Sequence, residues 1–335
     1  MGNTLIDKIK KLSGNPLASL YSESAYRDKA KYAVPTEYPM LNVCLSGHWD
    51  GGLLPGLTTL AGESGVFKSG LSLVLAKAFQ DKFEDGIVVF LDSELGATND
   101  YFTRFGVDEE RVVHLPVKNI EEAKFQIMKI LDGLSEEDHV FVLYDSIGNT
   151  ASKKEVEDAI DEKSVADMSR AKALKSFFRM VTPQINFKNI YMVVINHTYK
   201  TMEMFAKDVV GGGTGSIYSS DNIFIITKSR DKDKETKDIV GYTFKLSAYK
   251  SRYVKEGAKF PLNISFENGL DKYSGMWDFA LEEGFIESPS KGWYTRKAVP
   301  DDKKWREAET HYNPEFWEPV LTPEFIATYE KRYSL

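Results

Sequence analysis

Between residues 36 and 267 the chain alternates short, near-continuously apolar runs with amphipathic segments, and this alternation narrows the fold more than any other feature. Runs rich in β-branched residues stand at Leu57–Ala61, Ile87–Asp92, Val112–Leu115, Val140–Asp145, Ile190–Asn196, Asn222–Thr227, Tyr242–Ala248 and Phe260–Glu267. Helical patterns at Ser69–Lys82, Glu121–Leu134 and Ser169–Val181 lie between the earlier runs. A strand that is apolar on both faces needs cover on both faces. Such strands alternating with helices predict an α/β fold with a mainly parallel, doubly covered, twisted sheet. The later strands follow one another without long helices and predict an antiparallel extension. The charged run Lys228–Asp238 reads as a solvated hairpin.

Two smaller segments flank this core. Residues 1–35 predict a helical arm, with Leu5, Ile9 and Leu12 on one face, Asn3 as its cap, and Gly14 with Pro16 as its stop. Such a face packs either on its own core or on a neighbouring subunit, and amphipathicity does not separate the two. Residues 268–335 predict a small α+β C-terminal domain. Ser274 is expected to cap a helix running to Glu283, strands follow at Phe285–Ile286 and Gly292–Arg296, and Pro323 opens a last helix.

Composition sets the class. With 42% hydrophobic and 28% charged residues in 335, the chain can bury a sizeable core and is not disordered throughout. One cysteine, Cys44, excludes an intrachain disulfide and favours a reducing compartment. No apolar run reaches membrane-spanning length, and the N-terminal residues lack a signal-peptide pattern. Ile6 stands where a myristoylation motif requires Ser or Thr. The expectation is a cytoplasmic protein with no membrane partner. Net charge is -7, from 43 basic and 50 acidic residues. Residues 267–335 carry 14 acidic and 9 basic residues, so this segment holds -5 of it. The rest is nearly balanced and has room for a local basic track.

The strongest chemical signal is Gly62-Glu63-Ser64-Gly65-Val66-Phe67-Lys68-Ser69, followed by Gly70. It follows a strand and precedes a helix, the context in which a glycine-rich turn aims backbone N–H groups at a polyphosphate on a helix N-terminus. In this Walker A reading, Lys68 meets the β- and γ-phosphates and Ser69 ligates Mg²⁺. Phe67 replaces the usual second glycine. Three other strands end in polar groups. Val140–Tyr144 runs into Asp145-Ser146, as a metal-holding Walker B strand does. Ile87–Leu91 runs into Asp92-Ser93-Glu94, and a glutamate there can orient and deprotonate an attacking water. Tyr191–Ile195 runs into Asn196-His197, placed to sense a γ-phosphate.

These motifs, with LDSELGAT, VLYDSIGNTASKKEVEDA, VVINHTY, GGGTGSIYSSD and KSRYVKE, resemble the RecA family of recombinases, most closely its T-even bacteriophage branch, the UvsX recombinases. The resemblance runs from about Pro39 into the C-terminal domain. Phe67 and His197 are similar to that branch and depart from bacterial RecA, which carries Gly and Gln. The resemblance implies a RecA-like P-loop ATPase core and a homopolymeric helical filament on single-stranded DNA, with ATP and Mg²⁺ at each subunit interface. It implies DNA-dependent ATP hydrolysis, strand exchange with homologous double-stranded DNA, and roles in recombination, repair and replication alongside single-strand-binding and mediator proteins. A longer acidic tail found in the T-even branch is not matched here.

By the same resemblance, Glu94 matches the water-activating glutamate, Tyr101 a tyrosine that stacks on adenine, and Tyr273 a second base contact. Lys250 and Arg252 match two lysines that reach the neighbour's ATP, where a cation donated in trans stabilises charge on the transferred phosphoryl group. Two segments match DNA-binding loops, residues 152–167, with Arg170 and Lys172 just beyond, and residues 199–215. In the second, the residues alone suit a flexible glycine loop with buried Met and Phe; with the resemblance, Met202, Met204 and Phe205 are suited to wedge between bases, and Gly211, Gly212 and Gly213 to offer backbone N–H groups to phosphates. The first is acidic in its middle, so its role in DNA contact rests on the resemblance. His197, at the root of the second loop, is expected to link the γ-phosphate to DNA. Two rivals share the nucleotide site, a RecA-fold hexameric helicase motor and a non-catalytic, nucleotide-clamped filament adaptor.

Overall fold

Side chains on successive strand residues point to opposite faces, and here both faces are apolar. Phe90, Phe141, Leu143, Val193 and Ile195 belong to one buried layer, and Val89, Leu91, Val142, Tyr144, Met192 and Val194 to the other. That is why these runs form a sheet covered on both sides in the computed structural model, which describes residues 4–24, 26–98, 100–161, 169–200, 208–233 and 235–335.

Helices α1 (Thr4–Ser13) and α2 (Pro39–Ser46) precede strand β1 (Gly56–Gly62). Then come α3 (Lys68–Lys82), β2 (Ile87–Asp92), β3 (Val112–Pro116), α4 (Ile120–Gly133) and β4 (Val140–Asp145). Helices α5 (Lys153–Ile160) and α6 (Ser169–Phe187) lead to β5 (Tyr191–Asn196). A small hairpin of β6 (Thr198–Lys200) and β7 (Asp208–Val210) and helix α7 (Thr214–Ser219) follow. Strands β8 (Asn222–Lys232), β9 (Ile239–Ser251), β10 (Lys259–Ser265) and β11 (Gly269–Leu270) complete the core. The C-terminal part holds α8 (Trp277–Glu282), β12 (Ile286–Ser290), β13 (Trp293–Arg296), α9 (Pro314–Trp317) and α10 (Pro323–Tyr333).

Among the described residues the main sheet has the order β11-β10-β9-β8-β1-β5-β4-β2-β3. The six strands from β8 to β3 are parallel, and β9, β10 and β11 continue antiparallel. Helices α2 and α3 contribute to one apolar layer, α4 and α6 to the other. The charged run is the β8–β9 hairpin, as expected.

Four local features differ from expectation. Residues 152–167 open as helix rather than loop, because Ser152 and Glu155 form a reciprocal capping box at the start of α5. The segment after His197 is a short β-hairpin at its base, with Thr198 paired to Val210. Ser274 does not cap α8. Its Oγ donates to the Asp271 carbonyl (2.7 Å) and accepts from the Asn263 N–H (2.9 Å), and Gly275 turns through φ +74° before the helix begins. The N-terminal arm divides in two. Residues 29–34 are anchored: Lys29 Nζ donates to the Pro55 carbonyl and Asn186 Oδ1, and Val34 pairs with Leu53. Helix α1, by contrast, keeps Ile9 58% and Leu12 76% exposed. The expected cap Asn3 lies outside the described residues.

The C-terminal part joins the core through aromatic contacts, with Trp49 edge-on to Phe325 and Tyr329. Inside it Arg296 and Asp302 form a buried pair (Nη2–Oδ1, 2.6 Å). Burial opposes ionisation of Asp302, and the hydrogen bonds from Arg296 outweigh it, holding the carboxyl below its ordinary value. Replacing one member of a buried pair strands the other's charge. Asp302→Ala is therefore expected to cost about 3–5 kcal/mol in urea unfolding at pH 7. Because the folded-state value is depressed, the pair stabilises above the unfolded aspartate value. The gap between wild type and variant narrows as pH falls below about 4.

Candidate nucleotide-binding and catalytic site

The turn from β1 into α3 carries the phosphate loop. Phe67 is its N-cap residue and adopts φ +66°, ψ +20°, a left-handed conformation that costs a non-glycine residue about 1–2 kcal/mol. Stacking offsets that cost, with the Phe67 ring 5.2 Å from Phe244 and 6.0 Å from Phe105. Gly70 makes room for it: a Cβ there would lie 2.2 Å from the Phe67 ring. Lys68 is buried. Its ammonium donates to the Gly62 and Glu63 carbonyls (3.0 and 2.6 Å), and burial lowers its pKa against the pull of Asp145 and Glu94. A pocket of about 250 Å³ opens over the loop, lined in part by Ser64, Gly65, Lys68, Glu94, Asp145 and His197.

The parallel register brings the strand-end groups to that pocket. Asp145 Oδ2 accepts from Ser69 Oγ (2.7 Å) and Tyr101 Oη (3.2 Å), and burial raises its pKa. Glu94 Oε1 accepts from Ser146 Oγ (2.7 Å) and Asn149 Nδ2 (2.8 Å). Asp92, buried at the end of β2, accepts from the Glu94 and Leu95 N–H groups and so shapes the turn that presents Glu94. His197 Nε2 lies 3.8 Å from Glu94 Oε1 and is buried with no hydrogen-bond partner. An unsatisfied buried nitrogen beside an open phosphate loop is suited to a ligand oxygen.

The sequence comparisons agree with this geometry. The RecA N-terminal domain family matches residues 51–271, and the C-terminal domain family of the bacteriophage T4 recombination and repair protein matches residues 273–327. The T4 recombination and repair protein itself is 43% identical over 325 residues, covering 95% of this chain and 82% of its own length. The chain belongs to the RecA family. Protein RecA of Thermus aquaticus is 24% identical over 250 residues, covering 73% of this chain and 71% of its own. A mitochondrial DNA repair RecA homologue of Dictyostelium discoideum is 24% identical over 257 residues, covering 76% and 55%. The chain is a recombinase of the phage recombination-and-repair type.

Other residues singled out from the sequence lie elsewhere in this RecA-family chain. Lys250 and Arg252 stand away from their own phosphate loop, at the end of β8 where that strand begins. Lys250 pairs with Ile223, Ile223 with Thr59, and Thr59 lies three residues, about 10 Å, before Gly62. Lys250 Nζ donates to the Ile217, Tyr218 and Ser220 carbonyls at the end of α7, and Arg252 pairs with Asp221 (2.6 Å). Tyr273 is 7% exposed and stacked on Trp317, away from the phosphate loop. Tyr101 turns its hydroxyl to Asp145 and stacks one face of its ring on Phe90.

Arg170 is not free for DNA, since its guanidinium donates to the Ile147, Gly148 and Thr150 carbonyls. Lys172 is exposed. Met202, Met204 and Phe205 lie outside the described residues. Gly211 donates its N–H to the His197 carbonyl (2.9 Å), Gly212 lies against Leu174, and Gly213 caps α7. Sequence reading placed Asp92 and Ser146 at strand ends without their role, which they share with Asn149: holding Glu94. It missed Lys228, whose ammonium donates to the Gly65 carbonyl from β8 (2.8 Å). Adjacency to Asp145 was the available signal for Ser146; Lys228 had none.

Gly70→Ala tests the aromatic packing of the loop. The new methyl displaces the Phe67 ring, with an expected loss of about 1–3 kcal/mol in thermal unfolding and weaker binding of a fluorescent ATP analogue. The double variant Phe67→Gly/Gly70→Ala is expected to regain loop geometry and binding.

Proposed function

We propose that this recombinase is a DNA-dependent ATPase that assembles as a helical filament on single-stranded DNA and exchanges strands with a homologous duplex. The observation that carries the proposal is the unpartnered, buried Nε2 of His197. It lies beside Glu94 and over the phosphate loop, while the His197 carbonyl accepts the Gly211 N–H across the base of the second loop.

Ser69 Oγ and Asp145 Oδ2 converge at 2.7 Å and are the hard oxygen donors Mg²⁺ prefers. No larger cluster of His, Cys, Asp or Glu forms a metal site among the described residues, which suits an ion held by one carboxylate, a hydroxyl and substrate phosphates. An ion held by Ser69 and Asp145 would supply positive charge to offset that of the substrate phosphates. Lys68 leaves the Gly62 and Glu63 carbonyls for phosphate oxygens. Glu94, held by Ser146 and Asn149, takes the proton of the attacking water. Tyr101 must release Asp145 before its ring can lie against adenine. His197 donates to the γ-phosphate, orders the hairpin that begins at Thr198, and releases it after hydrolysis.

Assembly completes the site. Lys250 and Arg252, too far from their own loop, serve the ATP of the next copy once assembly draws them off the α7 carbonyls and Asp221. The exposed Ile9 and Leu12 of α1 suit docking on that copy, and Lys172 and the glycines at 211–213 suit the DNA backbone. Among the described residues no helix is long and apolar enough to cross a membrane.

Strand exchange between circular single-stranded DNA and a linear duplex tests the proposal directly. Joint molecules are expected only with homologous duplex and ATP. Closed rings in electron micrographs, with unwinding in place of exchange, would support the helicase reading. Glu94→Gln is expected to retain ATP binding and lose at least 100-fold in turnover. Negligible turnover in both wild type and variant would support the adaptor reading. His197→Ala is expected to hydrolyse slowly and to bind single-stranded DNA equally with ADP and ATP. Retention of full ATP dependence in a DNA-binding titration counts against its role as the link.

A further inference from the structure

Arg170 sits at the start of α6, where sequence reading expected a DNA contact. Its Nε donates to the Thr150 carbonyl (3.0 Å), and its Nη2 donates to the Ile147 and Gly148 carbonyls (3.0 and 2.6 Å). These three carbonyls belong to the turn that follows the Walker B strand. The same turn supplies Ser146 Oγ and Asn149 Nδ2, which hold the Glu94 carboxylate. Thr150 ties the turn internally, accepting from Tyr144 Oη (3.1 Å) and donating to the Ser146 carbonyl (2.8 Å). The turn also presses on His197, for a Cβ at Gly148 would fall 2.4 Å from His197 Cδ2.

Helix α6 meets the ends of both candidate DNA segments. Ser152, at the start of the first, shares a 2.5 Å hydrogen bond with Ser169. At the end of the second, Gly212 and Gly215 lie against Leu174 and Lys175, where added Cβ atoms would come within 2.9 and 3.0 Å. Close-packed contacts of this kind pass on a displacement rather than absorb it.

We propose that Arg170 is a positioning residue that couples DNA engagement to hydrolysis. Through the 147–150 carbonyls it fixes Ser146 and Asn149, and through them the Glu94 carboxylate, so that a shift of α6 on DNA binding reaches the water-activating group. This rests on the reading of Glu94 as general base. It assigns Arg170 no contact with nucleotide or DNA.

The test uses the full chain with Arg170→Ala, Arg170→Lys, Asn149→Ala and the double variant Arg170→Ala/Asn149→Ala. Single-stranded DNA affinity, its slope against salt and ATP-analogue binding are expected to stay within twofold of wild type. DNA-stimulated kcat is expected to fall at least tenfold in Arg170→Ala, with KM for ATP unchanged. Arg170→Lys, which keeps a donor, recovers part of it. Because both residues act on one carboxylate, the double variant is expected to be little slower than the slower single variant. Four outcomes overturn the proposal: a salt slope reduced by about one with kcat intact, which marks a phosphate contact; multiplicative losses in the double variant; no recovery by lysine; or misfolding of every Arg170 variant while Asn149→Ala remains fully active. A wild-type protein with no DNA-stimulated turnover overturns the ATPase reading itself and this inference with it.

Discussion

The convergence of polar groups at the carboxyl ends of β1, β5, β4 and β2 is the constraint on which the rest of the site depends. Parallel strands end together, so groups far apart in sequence arrive at one edge: the phosphate loop, His197, Asp145 and Glu94. The two apolar layers hold that edge rigid, since every central strand is buried on both sides. Their packing lets the edge carry unsatisfied or charge-strained groups, such as the His197 imidazole and the buried Asp145 carboxyl.

The groups at this edge form a continuous network. Asp145 joins Ser69 and Tyr101, Glu94 joins Ser146 and Asn149, and the turn that bears these last two is held by Arg170 and lies against His197. Lys68 folded onto its own loop carbonyls and Tyr101 turned onto Asp145 are both compatible with a site that rearranges when phosphates arrive. In the proposed function both groups exchange protein partners for ligand ones, a local exchange that needs no change in the sheet.

Much of the framework was legible in the sequence because it depends on local pattern. The strands Ile87–Asp92 and Val140–Asp145 coincide with their apolar runs, and Pro323 opens the last helix as its fixed φ predicts. The capping box at Ser152 and Glu155 is equally legible, since Ser followed three residues later by Glu marks a helix start. Less was legible in the site. Arg170 looks like a phosphate ligand in sequence, yet main-chain carbonyls take its guanidinium. Those carbonyls carry no residue identity, so no pattern announces them. Lys228 reaches Gly65 from a strand 163 residues away. Tyr273 has an aromatic identity that fits base stacking, but Trp317 occupies its ring face.

Local order along the chain therefore suffices for the strand–helix alternation, the phosphate loop and the polar residue at each strand end, because periodicity, turn chemistry and capping act over a few residues. Long-range packing settles which strands become neighbours and hence which polar ends meet. It also settles whether a cation such as Arg170 or Lys250 is left for a ligand or taken by the protein's own carbonyls. Hydrogen-bond partners are chosen by three-dimensional proximity, and sequence spacing does not encode that.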